Sequence, residues 1–207
     1  HTPYYLFNEG TRYVYFLDNM DLINNGRVLF NQINSAGNAK SGTLDVGIKV
    51  KRMEGNFDYN KFEFQDAAVT DKALVTQYRY YDKKGKEYHE FVMFMTHHNM
   101  THEVVMLGHV DEDEIKENKR GQWNFIGFDN EVIQFSWREE KTDILGWTIK
   151  GFSPKGELIA DLFFEEPKKT MTFKNIGYGN SGKYYIKGEV RYGAETGLIS
   201  LINDQYY

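Results

Sequence analysis

Apolar and polar residues alternate with a period of two along most of this chain, the spacing of strands with one dry face and one wet face. Such runs cover 11–17, 27–33, 61–69, 74–81, 87–95 and 103–110, then 122–128, 131–138, 144–152, 157–164, 170–175, 183–191 and 196–202. The most regular alternation sets Leu44, Val46, Ile48 and Val50 against Asp45, Gly47, Lys49 and Lys51, and predicts one more strand. No amphipathic helix of useful length competes. Residues 111–120 (DEDEIKENKR) place acids early and bases late, which suits a short helix dipole, but their polarity reads as a solvated loop.

Short turn signals separate the runs. They are Asp82-Lys83-Lys84-Gly85, Asp129-Asn130, Ser153-Pro154-Lys155-Gly156 and Tyr192-Gly193-Ala194. Asn and Asp tolerate positive φ, and Pro followed by Gly suits a reverse turn. Sequential strands joined this way form an antiparallel meander. A two-residue turn at 129–130 puts Phe128 opposite Glu131 and Ile126 opposite Ile133, leaving Trp123 and Phe125 on a mixed second face. A four-residue turn at 153–156 gathers Leu145, Trp147, Ile149, Leu158, Ala160, Leu162 and Phe164 on one apolar face. Asn34–Gly42 and Ile176–Gly182 read as longer, glycine-containing loops.

At 207 residues, with no linker, repeat or shift in composition, the expectation is a single β domain over 1–207. The first-choice architecture is a meander barrel of the lipocalin or calycin kind, because a barrel removes exposed edges. A two-sheet sandwich is the alternative. The Gly-x-Trp start of lipocalins is absent, so the likeness is one of architecture alone.

Composition narrows the function classes. A net charge of −5, with no extended basic stretch, argues against a nucleic-acid partner. No apolar run reaches the ~20 residues of a membrane helix. With no cysteine there is neither a disulfide nor a thiolate nucleophile. An opening at His1, without methionine, suggests a processed chain and a secreted or periplasmic location. Tyr and Phe number 15 each beside 3 Trp, rich even for a β core.

Five of the six histidines fall between 89 and 109. If 87–95 pairs with 103–110, His89 lies opposite His109, with Phe91, Met93, Val105 and Leu107 on the same face. Imidazoles at that cross-strand distance, ~5 Å between Cβ atoms, could share a ligand. No HExxH or other metal spacing accompanies them, so no metal or cofactor is assigned. Strand-borne acids (Glu63, Glu90, Glu131, Asp161) could serve a glycosidase only as an opposed pair. No nucleophile elbow or phosphate-binding glycine loop is present.

The expected function is therefore non-enzymatic binding of a small apolar or aromatic molecule inside a barrel. The lining would come from His89, Phe91, Met93, Leu107, His109, Trp123 and Phe125. A glycan-binding or surface-interaction module is the alternative, and a homodimer would be compatible with it. The third reading is a lyase, isomerase or hydrolase acting through His89 or His109.

Overall fold

The computed structural model describes residues 4–7, 12–54, 58–82, 86–117, 124–129, 132–165, 171–178, 184–192, 195–202 and 205–206. Their contacts divide the chain into two compact units, 1–112 and 113–207. Both are built from antiparallel strands.

In the first unit, β1 (Tyr4–Phe7), β2 (Tyr13–Asp18), β3 (Val28–Asn34) and β4 (Ala39–Leu44) form one meander sheet. β5 (Phe62–Val69), β6 (Ala73–Asp82), β7 (Glu87–Thr96) and β8 (His102–Val110) form a second. A single core joins them: Tyr15, Leu17, Val28 and Phe30 from the first sheet meet Phe62, Tyr78, Phe91 and Met93 from the second. Rings fill this space closely, with Tyr78 stacked on Phe62 at 5.2 Å between centroids.

In the second unit, β9 (Asn124–Asp129), β10 (Val132–Lys141), β11 (Ile144–Phe152) and β12 (Leu158–Glu165) form a meander. So do β13 (Met171–Tyr178), β14 (Tyr184–Tyr192), β15 (Glu195–Ile202) and β16 (Gln205–Tyr206). Among the described residues every sheet has four strands and none closes on itself, so the all-β antiparallel class holds while no closed barrel is found. Among them, too, no helix is long and apolar enough to cross a membrane.

The most regular alternation in the sequence is not a strand. Val46–Glu54 is helix α2, after the short α1 (Leu22–Asn25). Positions 46 and 50 are two residues from 48 but also four apart from each other, and the helix uses the second spacing. Val46 and Val50 are fully buried while Ile48 is 39% exposed. Close backbone packing reinforces the choice. Gly47 N–H donates to the Gly26 carbonyl at 2.7 Å, and a Cβ on Gly26 would lie 2.7 Å from Gly47 Cα and 2.6 Å from the Tyr59 ring. With φ of +67° at Gly26 as well, a side chain there is excluded twice over.

Three smaller corrections follow. Asn34–Gly42 is a hairpin rather than a loop: Asn34 Oδ1 accepts the Ala36 and Asn38 amides, both at 3.0 Å, and closes the turn between β3 and β4. Within the acidic run, Glu112–Lys116 is a short helix, α3, with no buried residue. Finally, bulges shift the expected registers. Asp129 pairs with Val132, and a bulge at Gln134/Phe135 then sets Phe125 opposite Phe135 instead of leaving it across from Gln134. A bulge at Gly151/Phe152 takes Leu158, 53% exposed, off the apolar face. A single extra residue reverses which side a strand shows, and strict alternation cannot register it.

Candidate functional site

His89 and His109 do face each other across β7 and β8. Their rings stack at 4.4 Å with 22° between planes, and His89 lies against Phe91 at 6.3 Å. His109 Nε2 donates to Glu87 Oε2 at 3.2 Å. Ring-nitrogen lone pairs lie in the ring plane, so stacked rings direct them side by side instead of onto one point. Among the described residues no group of three or more His, Cys, Asp or Glu is placed to hold a metal.

The apolar residues expected beside this pair are packed into protein. Phe91 and Met93 belong to the shared core, 0% and 1% exposed. Leu107 is the extra residue of a bulge that pairs Phe91 with Met106, and it is buried at 2%. Trp123 lies outside the described residues, and Phe125 is placed only by its register opposite Phe135. Of the carboxylates considered, Glu90 is engaged by Arg79 Nη2 at 3.0 Å, and Asp161 approaches Lys150 at 4.0 Å. Glu131 lies outside the described residues.

A second histidine cluster carries more structure than the first. His97, 3% exposed, sits just past β7 and reaches into the space between the two sheets of the first unit. Its Nε2 lies 2.7 Å from the Thr70 carbonyl, which can only accept, so the proton is on Nε2. Nδ1 then accepts the Tyr15 hydroxyl at 2.7 Å. Gln32 Nε2 donates to the Tyr15 oxygen at 2.6 Å and to the His97 carbonyl at 2.9 Å. Tyr13 stacks on the imidazole at 4.4 Å. Burial pushes the imidazole below its ordinary range, against the opposing pull of the Thr70 carbonyl and Asp71. Burial likewise raises the Tyr15 phenol, opposed by the Gln32 bond. The sequence signal for this cluster was Gln32, which shares the alternating face of Val28 and Phe30.

Glu139 follows the alternating run 131–138, which by itself would leave it in the hairpin loop. β10 instead runs on to Lys141, and Thr142-Asp143 closes the hairpin with φ of +51° and +64°. Glu139 accepts the Trp137 indole N–H at 2.6 Å and the Thr148 hydroxyl at 2.5 Å, with Lys141 Nζ at 3.2 Å. Burial works to raise its carboxyl, but these donors outweigh it and hold it below the usual carboxylate range. Trp137 itself is 3% exposed. Three donors thus hold this carboxylate in its charged form and tie the end of β10 to β11.

An open concavity lies on the outer face of the first sheet, a groove of about 330 Å³ lined by Phe16, Leu17, Asp18, Leu29 and Asn31. Phe16 pairs with Asn31 and Asp18 with Leu29, so Phe16 and Leu29 are diagonal neighbours on that face. They are 36% and 44% exposed, and nearby in sequence Met20 and Ile23 are 54% and 51% exposed. Asp18 Oδ1 is held by the Met20 amide at 2.9 Å, and Asn31 Oδ1 by Ser41 at 2.5 Å, so both polar walls are fixed in place.

Compared with known proteins, the chain matches no family model and no curated relative. Its functional reading rests on the residues themselves.

Proposed function

We propose that the protein is a non-enzymatic binding module that takes a small apolar or aromatic molecule in the outer groove of the first sheet. The supporting observation is the exposed pair Phe16 and Leu29, two large apolar side chains flanking a concavity with fixed polar walls. An apolar floor with a few placed polar groups is the usual make-up of a small-molecule site. The interior of the same unit is packed with rings, which favours the groove over a barrel interior as the place of binding.

The groove is open on one side, so the expected affinity is modest. A ligand of about 15 non-hydrogen atoms at about 0.3 kcal/mol each gives about 4.5 kcal/mol, a Kd just below millimolar. Titrating the folded chain with a hydrophobic fluorescent probe tests this. A saturable signal is expected, weakened several-fold in Phe16→Ser and unchanged in Leu158→Ser, which alters an exposed apolar residue of the other unit. No saturable signal, or equal signals from wild type and Phe16→Ser, removes the groove as the site.

A further inference from the structure

Four elements of the first unit meet at His97. β2 supplies Tyr15 and β3 supplies Gln32, both from the first sheet. The turn between β5 and β6 supplies the Thr70 carbonyl. The turn between β7 and β8 supplies His97 itself, whose amide also reaches the Lys72 carbonyl at 3.4 Å. The imidazole thus fastens both turns at this end of the second sheet to the strands of the first.

The hydrogen bonds run in one direction only. Gln32 donates to Tyr15, Tyr15 donates to Nδ1, and Nε2 donates to Thr70. Gln32 spends its two amide hydrogens on the Tyr15 oxygen and the His97 carbonyl. Turning that amide over would face its oxygen towards the carbonyl, acceptor against acceptor, so the direction is locked. A proton on Nδ1 would point at an oxygen already accepting from Gln32, and the Tyr15 hydrogen would lose its acceptor. The charge would also be buried, which adds a desolvation cost.

We infer that His97 is a proton-operated latch: neutral, it holds the two turns against the first sheet, and protonated, it lets them go. Among the described residues, the charged or titratable groups around it are Tyr13 and Tyr15 from β2, with Asp71 and Lys72 from the turn between β5 and β6. β3 contributes neutral Gln32, and His98 follows in the latch's own turn, exposed. Asp71 favours the charged imidazole, yet burial prevails and the neutral form is preferred. A base preferred neutral when folded binds fewer protons than when unfolded. The latch is therefore intact above the ordinary imidazole pKa of about 6.5 and weakens as pH falls below it. This inference stands apart from the groove reading.

Hydrogen exchange on the full chain at pH 7.5 and pH 5.0, corrected for intrinsic rates, tests the latch. Segments 69–73 and 96–101 are expected to lose protection at the lower pH, where the imidazole takes up the proton that its bonded arrangement excludes. The turn at 153–157, closed by Ser153, should keep its protection. In His97→Gln, whose amide can donate to Thr70 and accept from Tyr15 without titrating, the acid loss should disappear. If that variant does not fold, Tyr15→Phe serves instead. It removes the donor that favours neutral Nδ1, so the folded imidazole titrates closer to its unfolded value and the acid loss should shrink. Equal protection at both pH values in wild type overturns the latch. So does an acid loss that survives in His97→Gln or is undiminished in Tyr15→Phe.

Discussion

The two faces of the first sheet differ more than strict alternation between them would suggest. Inward, β2 and β3 present Tyr15, Leu17, Val28, Phe30 and Gln32, none more than 4% exposed. Outward, the same strands present Phe16, Asp18, Leu29 and Asn31 around an open groove. Each face carries residues of the wrong kind for its side. The inner one holds an amide and a phenol, tied to an imidazole by directed bonds. The outer one holds a phenyl ring and a leucine left partly in water. Sequences tend to break the pattern where something other than folding is required. On the inner face the exception is satisfied by hydrogen bonds within the protein. On the outer face Phe16 and Leu29 stay 36% and 44% exposed beside the groove.

The largest expected effect comes from the inner apolar residues. Phe30 is 4% exposed, faces Tyr15 at 6.2 Å and covers Gly42 on the adjacent strand. Phe30→Ala should cost about 3–5 kcal/mol, since the rings around it can close only part of the space. A fall in denaturant midpoint with an unchanged slope would register it. A loss under about 1 kcal/mol would mean that the inner face is not the core side of this sheet.

Next comes the inner polar exception. Gln32→Leu keeps the volume and removes both donors, leaving the Tyr15 oxygen and the His97 carbonyl buried without them. A buried group deprived of its partner costs about 1–3 kcal/mol. Equilibrium unfolding at neutral pH measures it. A neutral or stabilising result would show that the network contributes nothing to holding the two sheets together, and would set inner and outer exceptions on the same footing.

Much of this could be read from the sequence, and the failures share a cause. Alternation located β6 to β8 and the His89–His109 pairing, because those strands are long and their hairpins are closed by short turns. It failed at 44–51, where the spacing of Val46 and Val50 served helix and strand equally until Gly26, Gly47 and Tyr59 packed together. It also failed wherever a bulge intervened, as at Leu107 and Phe125. The His97 cluster draws on positions 15, 32, 70 and 97, from separate elements, and no local pattern links them. Gln32, a polar residue on the face of Val28 and Phe30, is the one local signal, and the alternation of 27–33 passes over it. The groove was hidden for the opposite reason: a leucine beside buried neighbours gives no sign of which way it faces.

The smallest expected effect on stability, and the sharpest test of the contrast, is at Leu29. The residue is 44% exposed in a strand whose inward neighbours are buried. Leu29→Thr keeps a side chain suited to strands and removes apolar surface only from the groove. Stability should move by no more than about 0.5 kcal/mol, as for other exposed positions. Probe binding should weaken about fourfold, because two lost methyl-sized contacts, each only half buried by the ligand, amount to about 0.8 kcal/mol. Paired unfolding curves and probe titrations separate the two quantities. Should Leu29→Thr cost 2 kcal/mol or more, the outer face is a second core surface rather than the side of the proposed groove. In that case the exposed ring and leucine are held by the fold itself, and the asymmetry between the two sides disappears.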